Sequence, residues 1–241
     1  MSVQKTVLVV SAHAADFVWR AGGAIALYAS RGYNVRILCL SFGERGESQG
    51  SWKQPGMTID KVKEIRRAES TRAATILGAE IRFFDSGDYP IQPSQQTIDA
   101  MVGEYRELQP EFVLTHSFLD PDNPDHPTAN RVTLETRVYA QALGYPLAGK
   151  PINAPPVFLF EPHQPEQCEW KPQVLLDVTS VWETKHKAME SREAQKHLWE
   201  YYTDLGKRRG TQAVRNGGPK EIKYAEAFQR VYPQVTADAL K

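Results

Sequence analysis

The chain reads as an α/β protein: a Rossmann-like, mostly parallel sheet with helices on both faces, in a single domain. Three observations predict this. Apolar, β-branched runs alternate with amphipathic stretches through the first two thirds of the sequence, the rhythm of βαβ units. A length of 241 residues is enough to bury one sizeable core. Gly32 and Gly78 stand where helices should stop, because a residue without a Cβ enters the left-handed conformation of a helix end freely.

Taken in order, residues 6–12 are Val-rich and apolar, which predicts a buried first strand. Strands are further predicted over 34–42, 81–84 and 112–116, with helices over 18–31, 59–77, 97–108 and 128–143. Residues 155–160 and 174–178 read as two later strands. A charged amphipathic stretch from Trp182 to about Lys207 reads as one C-terminal helix. The domain is expected to span 1–241, with this helical extension beginning at about 182. Residues 43–58 form a long polar segment after a strand, a position where functional lids are common.

Bulk properties exclude some classes of function. Basic and acidic residues balance at 29 each, so nothing in the overall charge favours a nucleic-acid or membrane partner. No apolar run is long enough to span a bilayer, and no signal peptide is expected. The two cysteines, Cys39 and Cys168, lack zinc-knuckle or redox spacing, which fits a reducing cytoplasm.

The chemistry concentrates at Ser11-Ala12-His13-Ala14-Ala15-Asp16-Phe17, answered far downstream by Asn123-Pro124-Asp125-His126-Pro127. His13, Asp16 and His126 are expected in loops at strand ends, where open α/β sheets gather their sites. Two imidazoles and a carboxylate with open positions suit a catalytic zinc or a similar divalent metal.

These blocks resemble the signatures of the PIG-L/LmbE-like zinc deacetylase superfamily. Residues 12–17 followed by Gly22-Gly23 resemble its Ala-His-Pro-Asp-Asp-Glu…Gly-Gly motif, and residues 41–47 its Thr-x-Gly-Glu-x-Gly segment. Residues 65–69 resemble its Arg-x-x-Glu helix, and Thr115-His116 with Pro124-Asp125-His126 its Thr-His…His-Pro-Asp-His pair. The resemblance implies one zinc ion on His13, Asp16 and His126, with Asp125 orienting an imidazole and His116 in the pocket. It also implies a departure. Where the deacetylases carry an Asp general base, this chain has Ala15, which cannot take a proton.

The variant loop, residues 41–48, Gly87-Asp88-Tyr89-Pro90, residues 161–167, Glu200-Tyr201-Tyr202 and Arg215-Asn216 resemble a hydratase branch of the superfamily that serves gallate and protocatechuate catabolism. That resemblance implies a cytoplasmic lyase, a homo-oligomer, adding water to a small tricarboxylate. With Ala15 inert, Glu44 and His163 are the expected acid and base. Arg45, Arg20 and Arg215 are expected partners for the carboxylates, with His116 and Glu47 also contacting substrate. The competing expectation is a zinc-dependent N-deacetylase of an N-acyl sugar or thiol conjugate.

Overall fold

The computed structural model describes residues 4–192 and 195–236. Strands β1 (Thr6–Ser11), β2 (Asn34–Cys39), β3 (Glu80–Phe83), β4 (Phe112–Thr115) and β5 (Val157–Phe160) are all parallel. The sheet is extended by β6 (Val174–Asp177) and β7 (Ala225–Arg230), in the order β3-β2-β1-β4-β5-β7-β6. Strand β7 runs antiparallel to both β5 and β6. The helices are α1 (Asp16–Ser30), α2 (Gln49–Trp52), α3 (Ile59–Leu77), α4 (Gln95–Leu108), α5 (Asp125–Gln141), α6 (Trp182–Glu190) and α7 (His197–Arg215).

Period-2 alternation in β1 divides the core. Val7 and Val9 face one layer with Phe17 and Ile25 of α1, Leu77 of α3 and Met189 of α6. Leu8 and Val10 face the other, with Met101 and Tyr105 of α4 and Val132 of α5. Burial on both faces explains why β1 reads as a continuous apolar run rather than an alternating one. The helix ends also follow local chemistry. Thr58 caps α3 by accepting the N–H of Lys61, and Gly78 closes it at φ 76°.

Two expectations are corrected, and one strand is added. His126 and Asp16 lie in the first turns of α5 and α1 rather than in loops, where a helix start favours the carboxylate of Asp16. The C-terminal stretch is two helices rather than one. It breaks after Glu190, where Arg192 turns inward, fully buried, to reach Ser70 Oγ at 2.9 Å. Strand β7 carries no strong strand pattern, because it buries a charge, Glu226.

That charge explains the Gly22-Gly23 pair. Glu226 accepts the backbone N–H groups of Gly23 and Ala24, each at 2.7 Å, in the middle of α1. Lys185 of α6 donates to Glu226 at 2.7 Å and to the Trp19 carbonyl at 2.9 Å. A Cβ on Gly23 would lie 2.8 Å from Val178 Cγ1 and 2.9 Å from Glu226 Oε1, so the close approach of β7 requires glycine.

The strand order reverses direction around β1 and β4. Their carboxyl ends therefore open the crevice where a doubly wound sheet binds its ligands.

Candidate active site

His13 follows β1 into that crevice and is fully buried. Its backbone N–H donates to Asp16 Oδ2 at 2.8 Å, which ties the loop to the start of α1. Nε2 of its ring lies 3.1 Å from Asp125 Oδ2. The Asp125 carboxylate also accepts the N–H groups of Tyr89 and Ile91, both at 2.8 Å. Burial opposes ionisation of Asp125, but these bonds outweigh it and hold its pKa below the ordinary value. Asp125 is thus an ionised acceptor that draws the ring proton of His13 to Nε2. His126 is arranged likewise: its Nδ1 lies 2.7 Å from Asp120 Oδ2, a carboxylate held low against burial by His126 and Arg20.

The two remaining ring nitrogens, His13 Nδ1 and His126 Nε2, are buried and have no hydrogen-bond partner. Both point at the same place. His13 Nδ1 is 3.2 Å from Asp16 Oδ2 and 3.2 Å from Glu47 Oε1, and His126 Nε2 is 3.5 Å from Asp16 Oδ1. One ligand atom from each of His13, Asp16, Glu47 and His126 falls within 4.8 Å of the others. Two orphaned imidazole nitrogens facing two carboxylates are a mixed N/O donor set that fits a divalent cation, with each imidazole backed by a carboxylate. With no ion between them, burial disfavours the charge on His13, but Glu47, Asp125 and Asp16 outweigh it and raise its pKa well above the ordinary value. A proton and a metal ion would compete for one nitrogen.

Three members of the cluster, Asp16, Glu47 and His126, line a cavity of about 230 Å³, with His13 fully buried behind them. Asp16, Arg20, Glu47, Asp120, Asn123, His126, His163 and Tyr202 are among its lining residues. Arg20 is buried and donates to the Glu161 carbonyl at 3.2 Å; its guanidinium is 3.8 Å from Asp16 and 3.9 Å from Asp120. His163 lies on the loop after β5, its Nδ1 3.2 Å from the Tyr202 hydroxyl. Burial and the nearby Arg20 cation push its pKa below the ordinary value.

Other expected residues lie elsewhere. His116 is fully buried beneath His126, the rings stacked at 4.2 Å, and is not among the residues lining this cavity. Its Nε2 accepts the Ala12 N–H at 2.9 Å, which fixes the β1 loop. Glu44 and Arg45 line a separate cavity of about 570 Å³ toward β3. Glu44 is buried there, 3.7 Å from Lys63, and burial raises its pKa. Arg45 is bonded to the Asp88 carbonyl at 2.7 Å. Arg215 ends α7, exposed, and lines neither cavity. Glu47, by contrast, meets His13 directly. Its second oxygen lies 3.9 Å from the fully buried Arg66, itself 3.3 Å from Glu69, so the Arg–Glu pair of α3 does back the site.

Three contributors were not foreseen. Asp120 lies six residues before His126 in a turn-rich segment, and only its spacing from the histidine could have marked it. Tyr202 comes from α7, in the Glu200-Tyr201-Tyr202 run that resemblance marks without assigning it a role. Tyr89 stacks on the His13 ring at 6.0 Å and 11°. Its ring lies where a Cβ on Gly46 would fall, 1.4 Å from Tyr89 Cε2, so Gly46 is a packing requirement.

Fold and site together define a doubly wound α/β protein with a buried His/Asp/Glu cluster at the sheet's switch point. Residues 8–136 match the model of the family described as PIG-L, GlcNAc-PI de-N-acetylase, and the chain belongs to that family. The 4-oxalmesaconate hydratase of Pseudomonas putida is 55% identical over 236 residues, 97% of this chain and 92% of that protein. The crystal structure of GalB, the 4-carboxy-2-hydroxymuconate hydratase from Pseudomonas putida, superposes with a TM-score of 0.95 at 54% identity, covering 98% of this chain and 100% of that one. The N,N'-diacetylchitobiose deacetylase of Pyrococcus horikoshii, at 22% identity and a TM-score of 0.77 over 94% of this chain and 84% of that one, shares the fold.

Proposed function

We propose that the chain is a metal-dependent hydro-lyase that adds water to 4-oxalomesaconate, or to its enol 4-carboxy-2-hydroxymuconate, giving 4-carboxy-4-hydroxy-2-oxoadipate in gallate and protocatechuate catabolism. The observation that carries this is the near full-length relation to a hydratase, combined with a His13–Asp16–Glu47–His126 cluster of which Asp16, Glu47 and His126 line a cavity. Ala15, at the position of the deacetylase base, is a buried methyl in the apolar core, so the alternative N-deacetylase lacks its proton acceptor.

His13, Asp16 and His126 are assigned to hold the ion, zinc being the best match to nitrogen and oxygen donors. When bound, it supplies a Lewis acid that polarises an oxygen at the cavity floor. The rest falls to side chains. Glu47 lines the cavity and is assigned as the base that takes a proton from the attacking water; its pKa is kept below the ordinary value by His13 despite burial, so it is ionised and ready to accept. His163 is assigned to move the proton to the neighbouring carbon. The hydroxyl joins one alkene carbon and the proton the other, with no change of oxidation level. Arg20, the buried cation lining the cavity, pairs with a substrate carboxylate.

We take residues 1–241 as one functional unit with the helical extension closing the cavity. We place it in the cytoplasm, which agrees with two free, buried thiols at Cys39 and Cys168. Among the described residues no helix is long and apolar enough to cross a membrane. We also infer a homo-oligomer; Val138 at 54% and Leu143 at 88% exposure leave apolar surface at the end of α5 for it.

The test sets lyase against hydrolase. The purified protein is assayed for loss of the conjugated substrate's absorbance and for acetate release from an N-acetylglucosamine derivative. Hydration without acetate release is expected; rapid acetate release with no hydration refutes the reading.

A further inference from the structure

We propose that Tyr202 is a positioning residue for His163: its hydroxyl donates to Nδ1 and so fixes the imidazole as the tautomer whose Nε2–H faces the cavity. The inference deepens the reading above and rests on His163 as the carrier of the proton. The geometry begins with a clamp. Two adjacent residues of α7 grip one histidine from three sides. The Tyr201 ring stacks on the His163 ring with centroids 4.5 Å apart and planes 18° apart. The Tyr201 hydroxyl donates to the His163 carbonyl at 2.8 Å. The Tyr202 hydroxyl meets Nδ1 at 3.2 Å.

Tyr202 is itself held in place. It is 4% exposed, and its ring stacks on Trp19 at 5.5 Å and 18°. Burial pushes its phenol pKa upward, so the hydroxyl keeps its proton and has one to donate to Nδ1. Among the described residues, Nδ1 of His163 is the hydrogen-bond partner of that hydroxyl. A nitrogen that accepts a hydrogen bond carries no proton in the neutral ring, so the proton resides on Nε2. Nε2 has no protein partner among the described residues, while His163 lines the cavity over the cluster. The free N–H is therefore the one left for the substrate. This gives the C-terminal helix a task in the reaction: it orients a ring delivered by the loop after β5.

The test uses the full-length chain with 15N-labelled histidine, reading tautomers from two-bond proton–nitrogen correlations. The His163 signal is assigned by its loss in His163→Asn. The wild-type spectrum needs no variant: the Nε2–H pattern is expected, and an Nδ1–H pattern overturns the proposal. In Tyr202→Phe the ring should become a tautomer mixture. There kcat should fall by about tenfold, the worth of one hydrogen bond, with KM and bound zinc little changed. Tyr201→Phe keeps the stacked ring and should keep the Nε2–H pattern. Unchanged tautomer and kcat in Tyr202→Phe also overturn the proposal. If the wild type hydrates nothing, the functional reading fails, while the tautomer spectrum still decides the role of Tyr202.

Discussion

Asp120 Oδ2 sits 2.7 Å from Nδ1 of His126, and this one contact decides which face of the imidazole is left for an ion. Asp125 does the same for His13 from the opposite wall, at 3.1 Å. Each histidine therefore presents a nitrogen with no hydrogen-bond partner to the same point.

Removing either support should loosen the ion. Carboxylates behind metal-bound imidazoles are typically worth about 10–100-fold in affinity. Asp120→Asn and Asp125→Asn should each weaken zinc binding by that order in a competition titration against a chromophoric chelator. Unchanged affinity in both would mean the histidines are not the ligands.

The carboxylate that matters should be Glu47 and not Glu44. Glu47→Gln and His163→Ala are each expected to lower kcat by about 10²–10⁴-fold, the usual range for acid–base groups, with the metal retained. Glu44→Gln should be milder, because Glu44 lines the separate cavity beside Lys63. Steady-state kinetics on the three variants gives the ranking, and the reverse order would return the role to Glu44.

Metal affinity should rise with pH. In the metal-free protein, Glu47, Asp125 and Asp16 raise the His13 pKa well above its ordinary value against the opposing effect of burial. His13 is then protonated at neutral pH and must lose that proton to bind an ion. The sign follows: binding releases about one proton, and affinity falls as pH falls. Calorimetry in buffers of different ionisation enthalpy counts the protons, and zero release would show His13 already neutral.

Arg20→Met should raise KM for the tricarboxylate, lowering kcat/KM by about 10–100-fold, as expected for a lost charge-assisted bond. The loss should be smaller for an analogue lacking one carboxylate. Equal losses on both would remove Arg20 from substrate recognition.

The sheet and the grouping of His13, Asp16 and His126 were legible because both show in short sequence runs. A Val-rich run, glycines at helix ends and a His-x-x-Asp loop announce themselves within a few residues. Glu44 and Glu47 could not be separated that way. They lie three residues apart in one polar segment, and only the fold turns Glu47 onto His13 and Glu44 toward β3. Charge and resemblance single out Arg45 and Arg215, yet Arg45 is engaged with Asp88 and Arg215 is exposed at the end of α7. Strand β7 was invisible because its buried Glu226 is satisfied by Lys185 and by α1, partners far away in sequence.

That buried pair gives a stability prediction. Lys185→Met leaves Glu226 without its cation inside the protein, a change that typically costs about 3–5 kcal/mol. Denaturant unfolding should show a loss of that order, and a loss near zero would mean water reaches the pair.

Hydration should depend on an ion at the His13–Asp16–Glu47–His126 cluster. The most direct measurement is the rate of 4-carboxy-2-hydroxymuconate hydration by one preparation, before chelation, after chelation and after zinc is restored. Turnover should vanish with the metal and return with zinc. Full turnover by protein shown to hold no metal would contradict the account.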